Sequence, residues 1–265
     1  MATKLARLRT GVTLPYTEQG LPNGIPVVFL HAWGESRHAF SRVLPLLPDT
    51  LHVVVPDQRG HRDATKPSSG YAFGDYVDDV EALLDTLDIA SAVIAGSSSG
   101  GYVAQGFALD HPERAMGLVL IGAPISLHGR PPFADEVERL RDPIDRDWVR
   151  GSLAWFQFQR RVPADYLEDR VEDGVRMPAR VWRDALAGLS DVVPPTTAGV
   201  IRAPTLVIWG ARDELLPADT GSRLAGAIPG AMLQTYEDAG HMVLWEHPER
   251  VAADVAQFAA SLGSA

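Results

Sequence analysis

The segment Ala92-Val93-Ile94-Ala95-Gly96-Ser97-Ser98-Ser99-Gly100-Gly101-Tyr102-Val103-Ala104 runs from β-branched apolar residues, through small ones, into a helical pattern. The apolar run that stops at Gly96 reads as a buried strand, and Tyr102, Val103 and Phe107 mark the helix after it. Gly96-x-Ser98-x-Gly100 fits the G-x-S-x-G elbow, whose serine sits on a strained strand-to-helix turn with its hydroxyl exposed. A side chain at either glycine would collide with the neighbouring strand or helix, so the turn asks for residues without Cβ. The N–H groups opening the helix point toward the serine, where negative charge develops in acyl transfer. A flexible linker has a similar composition, but a linker is not flanked by a strand and a helix. A phosphate cradle would end in Gly-Lys-Ser/Thr or carry G-x-G-x-x-G, and neither is present. A nucleophilic Ser98 then needs a base and an acid from elsewhere in the chain.

Upstream of the elbow, residues 5–20 hold two alternating runs broken at Thr10-Gly11, which predicts a hairpin. Pro26–Leu30 and Val53–Val55 read as buried strands, with a helical face of Phe40, Val43, Leu44 and Leu47 between them. Tyr76, Val77, Val80, Leu83, Leu84 and Leu87 form one wide apolar face and predict a helix, with Asp75, Asp78 and Asp79 at its start. Downstream, Gly117–Ile121 is another buried strand. The alternation of strand and helix gives a parallel sheet covered on both faces. It lapses from about 127 to 197, a charged, aromatic, Pro-broken stretch that predicts an inserted helical subdomain, since structureless loops of that length are rare. The buried-strand pattern returns at Pro204–Trp209 and Met232–Tyr236, a helix follows Pro217, and a last helix opens at Pro248. The expected organisation is a core of residues 1–126 and 198–265 with a helical cap at 127–197.

The chain of 265 residues carries a formal charge of −10, which argues against nucleic acid or an anionic membrane surface as the main partner. With no cysteine, thiolate chemistry and disulfides are excluded. The N-terminal residues lack the apolar core of a signal peptide, and no apolar run approaches a membrane span, so the expectation is a cytoplasmic protein without membrane insertion. No metal-ligand spacing such as H-E-x-x-H occurs, and neither metal nor cofactor is expected. The sequence is silent on oligomeric state.

Ser98, Asp213 and His241 each follow a predicted strand, in that order. That is the chain order of a serine nucleophile, its acid and its base in the α/β-hydrolases. The sequence resembles that serine hydrolase family over nearly its full length. His31-Ala32-Trp33-Gly34 is similar to the family's oxyanion segment, and Asp57-Gln58-Arg59-Gly60-His61 to its D-x-R-G-x-G-x-S loop. Gly210-Ala211-Arg212-Asp213 with Pro217 resembles the acid turn. Asp238-Ala239-Gly240-His241 with Glu246-His247-Pro248 resembles the histidine loop. Three departures stand out: Ala32 replaces a glycine, and Arg62 and Ala64 replace a glycine and a serine.

The resemblance implies an α/β-hydrolase fold with a mostly parallel sheet, flanking helices and a helical cap. His241 would take the Ser98 proton, and Asp213, preferred to its neighbour Glu214 for its Gly-x-x-Asp spacing, would hold the imidazole tautomer. The backbone N–H groups of Trp33 and Ser99 would form the oxyanion hole. His31 would support the oxyanion loop by hydrogen bonding, while His61, His111, His128 and His247 read as structural. Ser97 and Ser99 read as small residues that leave room beside the nucleophile, either of which could hydrogen-bond a substrate.

A serine at the elbow weighs against the aspartate-dependent dehalogenases and epoxide hydrolases. The expected activity is hydrolysis of a small-molecule carboxylic ester or lactone through an acyl-enzyme. Thioester hydrolysis stays open beside it, and carbon–carbon bond hydrolysis, perhydrolysis and cofactor-free oxygenation are rarer outcomes on the same scaffold. A ligand sensor with slow turnover is the rival from another class. Within the cap, Trp155 and Phe158 are assigned to its own packing, and Phe156 and Trp182 to the substrate pocket.

Overall fold

The computed structural model describes residues 2–263. The chain opens with β1 (Thr3–Arg7), β2 (Thr13–Gln19), β3 (Ile25–Leu30) and β4 (Leu51–Pro56), followed by α1 (Phe73–Thr86), β5 (Ala92–Ser97), α2 (Ser99–Asp110) and β6 (Ala115–Ile121). Five helices then intervene: α3 (Ala134–Arg139), α4 (Arg146–Ser152), α5 (Ala164–Val175), α6 (Ala179–Ser190) and α7 (Pro195–Ala198). The chain closes with β7 (Thr205–Gly210), α8 (Thr220–Ala227), β8 (Met232–Tyr236), α9 (Val243–Glu246) and α10 (Pro248–Leu262).

Among the described residues, eight strands form one sheet in the order β1-β2-β4-β3-β5-β6-β7-β8. The predicted hairpin is there: β2 pairs antiparallel with β1 and with β4, and the remaining neighbours are parallel. Successive strand residues face opposite sides. In β3, Val28 and Leu30 join one core with α1 and α2, while Val27 and Phe29 join the other with α10. Burial on both faces explains why the central strands read as continuous apolar runs.

The helix expected around Phe40 to Leu47 is instead two short 3-10 turns, Arg37–Phe40 and Leu44–Leu46. Pro45 has no N–H to continue an α-helix and pushes Leu44 away from helical backbone. The four apolar side chains are still buried. Helical periodicity had located the buried face, and the prolines decided the backbone.

The α5 helix is bound to the β-sheet core by a buried polar seam. The fully buried Asp173 carboxylate accepts the Ser36 hydroxyl at 2.7 Å, pairs with Arg62, and lies 3.0 Å from Arg170 Nη2. Arg62, one of the departures from the family pattern, has φ +35°, in the region that favours glycine. The Tyr166 hydroxyl adds a bond to the Ala39 carbonyl at 2.5 Å.

Candidate active site

Ser98 lies between β5 and α2 with φ +48° and ψ −120°, a strained conformation for a residue bearing a Cβ. The flanking glycines are sterically required. A Cβ at Gly96 would come within 2.4 Å of the Gly100 backbone, and one at Gly100 within 2.3 Å of the Leu30 carbonyl oxygen. The Ser98 N–H is held by the Ile121 carbonyl at 2.8 Å, which fastens the elbow to β6.

The turn after β7 carries Asp213, and the loop after β8 carries His241. Their backbones touch: a Cβ at Gly210 would lie 2.1 Å from the Gly240 oxygen, and the Arg212 N–H donates to Ala239 at 2.9 Å. The two side chains therefore meet although 28 residues separate them. His241 Nδ1 lies 2.8 Å from Asp213 Oδ2, and His241 Nε2 lies 3.0 Å from Ser98 Oγ. Asp213 Oδ1 accepts the N–H groups of Leu215 and Leu216 at 2.8 and 3.0 Å, fixing the carboxylate from its other side. Glu214 is exposed and takes no part. Both members of the Asp213–His241 pair are buried. With the Asp213 carboxylate accepting at Nδ1, the Nε2 atom facing Ser98 is left to accept a proton.

The expected oxyanion donors have a more specific arrangement than their sequence suggested. As the first residue of α2, Ser99 has an N–H without an acceptor inside the helix. The Trp33 N–H is engaged already: it donates to the Ser99 hydroxyl oxygen at 2.7 Å. Ser99 is thus more than the small residue making room that its sequence position implied. His31 props the same loop. Its Nε2 accepts the Gln58 N–H at 2.9 Å, so its proton is on Nδ1, 2.8 Å from the Ala32 carbonyl oxygen. Burial holds its pKa well below the usual imidazole value, and the ring stays neutral.

A cavity of about 280 Å³ opens over Ser98 between the core loops and the inserted helices. Trp33, Phe133, Trp155, Phe156, Trp182 and Leu186 contribute to its apolar wall. Phe156 lies parallel to the His241 ring at 5.8 Å. Trp182 lines the cavity but is also 4% exposed core. Its indole N–H donates to the Gly174 carbonyl at 3.1 Å and its ring meets Trp33 edge-on. For this residue the expected division between pocket and core does not hold. Trp155, assigned to the cap's own packing, lines the cavity and stacks on Phe133. The supposed helical face it shares with Phe158 does not exist, because regular structure ends at Trp155. Phe158 packs on Trp245. His128, read as structural, is exposed along the cavity wall.

Further charged groups border or support the site. Glu35, 6% exposed, accepts the Ala32 N–H through Oε2, while its Oε1 has no hydrogen-bond partner. Burial pushes its carboxyl up to about 7. Arg170 is buried beside the cavity with its guanidinium 4.9 Å from the Tyr166 ring centre. Glu246 accepts three backbone N–H groups, from Gly240, Gln159 and Arg160, between 2.9 and 3.0 Å. It ties the histidine loop to the segment carrying Phe156. Among the described residues, no three His, Asp or Glu side chains group in a way that could hold a metal ion, and no helix is long and apolar enough to cross a membrane.

Comparison with known proteins agrees with this architecture. The chain is 31% identical to 2-hydroxymuconate semialdehyde hydrolase of Pseudomonas sp. (strain CF600), over 91% of its own length and 89% of the relative's. The enol-lactonase of Burkholderia xenovorans LB400 superposes with a TM-score of 0.83 at 24% identity, covering 96% of this chain and 99% of that one, a likeness of fold. An N-acyl homoserine lactone degrading enzyme superposes with a TM-score of 0.80 at 29% identity, covering 96% and 100%. A sequence model of the alpha/beta hydrolase family matches residues 27–254. The eight-stranded sheet, the elbow and this match over most of the chain lead to one conclusion: the protein belongs to the alpha/beta hydrolase family.

Proposed function

We propose that this hydrolase cleaves a small carboxylic ester or lactone with an apolar acyl or alcohol part, through an acyl-enzyme on Ser98. The observation that carries the reading is the unbroken chain Asp213–His241–Ser98, with contacts of 2.8 and 3.0 Å, opening into an apolar cavity. Ser98 Oγ attacks the carbonyl carbon as His241 Nε2 takes its proton, and Asp213 stabilises the imidazolium. The carbonyl oxygen becomes an oxyanion held by the Ser99 and Trp33 N–H groups. Collapse expels the alkoxide, which receives the proton from His241. Water, deprotonated by the same imidazole, then releases the acid and restores Ser98. The cavity volume of about 280 Å³ sits near the lower end for small-molecule sites of roughly 300–1,000 Å³, which favours compact substrates.

Similarity to the Pseudomonas enzyme supports a second reading, hydrolysis of a carbon–carbon bond by the same serine and base. One experiment separates the alternatives. Purified protein is assayed against short esters, lactones and 2-hydroxymuconate semialdehyde, and treated with a fluorophosphonate before intact-mass spectrometry. Repeated turnover of esters or lactones and a single adduct, both lost in Ser98→Ala, are expected. Turnover of the semialdehyde alone would select the second reading. A labelled protein that stalls after one turnover and binds a partner only with ligand present would instead be a sensor, and labelling that persists in Ser98→Ala would exclude Ser98 as nucleophile.

A further inference from the structure

We infer that the Ser99 hydroxyl occupies the oxyanion hole of the resting enzyme and must turn out of it before substrate can react. This rests on the proposed reaction at Ser98. The Trp33 N–H is one of the two backbone donors that reading assigns to the oxyanion. In the structure it donates to Ser99 Oγ at 2.7 Å, across 66 residues of chain. A backbone N–H has one proton and one direction, so an acceptor lying along it competes with any other oxygen placed there. Ser99 is 8% exposed and borders the same cavity as Ser98, which places its hydroxyl on the route of an incoming carbonyl.

The arrangement has a physical rationale. An oxyanion-hole donor is polar, lies in an apolar pocket, and is costly to leave unpaired there. The Ser99 hydroxyl supplies an acceptor while the site is empty. Its release needs only rotation about Cα–Cβ, with no change in the backbone. A neutral hydroxyl is a weaker acceptor than a developing oxyanion, so the N–H transfers to the oxyanion as charge accumulates. Alanine at this position removes the competitor and leaves both backbone donors in place.

The test uses a short-chain alkyl trifluoromethyl ketone, which adds to the active serine and places an oxyanion in the hole. Ser99→Ala should bind it about 2- to 10-fold tighter than wild type, the displacement of one ordinary hydrogen bond. kcat/KM for p-nitrophenyl acetate should rise by a similar factor. In wild-type protein, the Trp33 amide proton should move downfield in the NMR spectrum on inhibitor binding, a readout independent of how well the variant folds. Affinity unchanged in a folded Ser99→Ala would overturn the inference. So would weakening of tenfold or more, which would make the hydroxyl a donor to the oxyanion, or a Trp33 resonance that stays put. If wild-type Ser98 takes no fluorophosphonate label, the underlying reaction fails instead. Label without tightening leaves the reaction standing and removes only the role of Ser99.

Discussion

Asp213 accepts from two backbone amides and faces an imidazole, so its carboxylate has little freedom to turn. Replacing it by asparagine puts an NH2 group where either a backbone N–H or the imidazole N–H must be received. The imidazole is then driven to the wrong tautomer. Asp213→Asn is expected to lower kcat by about 10⁴, the scale found when a triad aspartate loses its charge, with far-UV circular dichroism unchanged. Glu214→Gln, at an exposed position, should leave kcat within about twofold, as surface changes away from special features usually alter little. A large loss in Glu214→Gln with a mild one in Asp213→Asn would reverse the assignment.

Between elements, Glu246 at the end of α9 makes the most consequential connection. One buried carboxylate satisfies Gly240, which precedes His241, and two residues of the irregular segment after Phe156. Burial raises its pKa even with three amide donors around it. The apolar environment that makes ionisation costly also makes three unpaired N–H groups costly. Glu246→Gln preserves shape but turns an NH2 group toward at least one of those donors. It should destabilise the fold by about 1–3 kcal/mol, measured by urea unfolding. Activity should fall as well, since Phe156 and His241 are stacked on one another and are positioned from the two sides of this carboxylate. Wild-type stability together with wild-type kcat in Glu246→Gln would show that neither segment depends on it.

For the molecule as a whole, the seam between α5 and the core makes stability depend on pH. Burial raises the Glu35 carboxyl from 4.5 to about 7; it outweighs Arg170 and the Ala32 N–H, which favour the charged form, and Asp173 acts in the same direction as burial. The folded protein therefore keeps a proton that the unfolded chain releases. The resulting stability is fully present below about pH 4.5 and is lost as pH rises through 7. In Glu35→Gln that loss is absent. The stability of the variant relative to wild type should climb between these pH values by up to about 3 kcal/mol, then level off. Taking the difference cancels other titrating groups such as Asp57, pushed up by its own burial to about 6. A difference independent of pH from 4 to 8, by chemical denaturation, would mean Glu35 ionises normally.

The amino-acid sequence by itself determined the sheet and its flanking helices, and it marked a helical insertion and the candidate residues Ser98, Asp213 and His241. Those features rest on short-range physics. Apolar periodicity records which faces are buried, and glycine records where backbones approach too closely for a Cβ, as at Gly96 and Gly100. Only the tertiary structure decided that Trp155 faces the cavity and that Trp182 serves both cavity and core. Helical spacing had grouped Trp155 with Phe158, but regular structure ends at Trp155. The Ser99–Trp33 contact, the Glu246 connection and the Asp173 seam were equally hidden. Each joins segments far apart in the chain, 66, 87 and 137 residues for Ser99–Trp33, Glu246–Gln159 and Asp173–Ser36. A local pattern carries no record of such a partner, because the hydrogen bond exists only after packing has brought both groups out of water together.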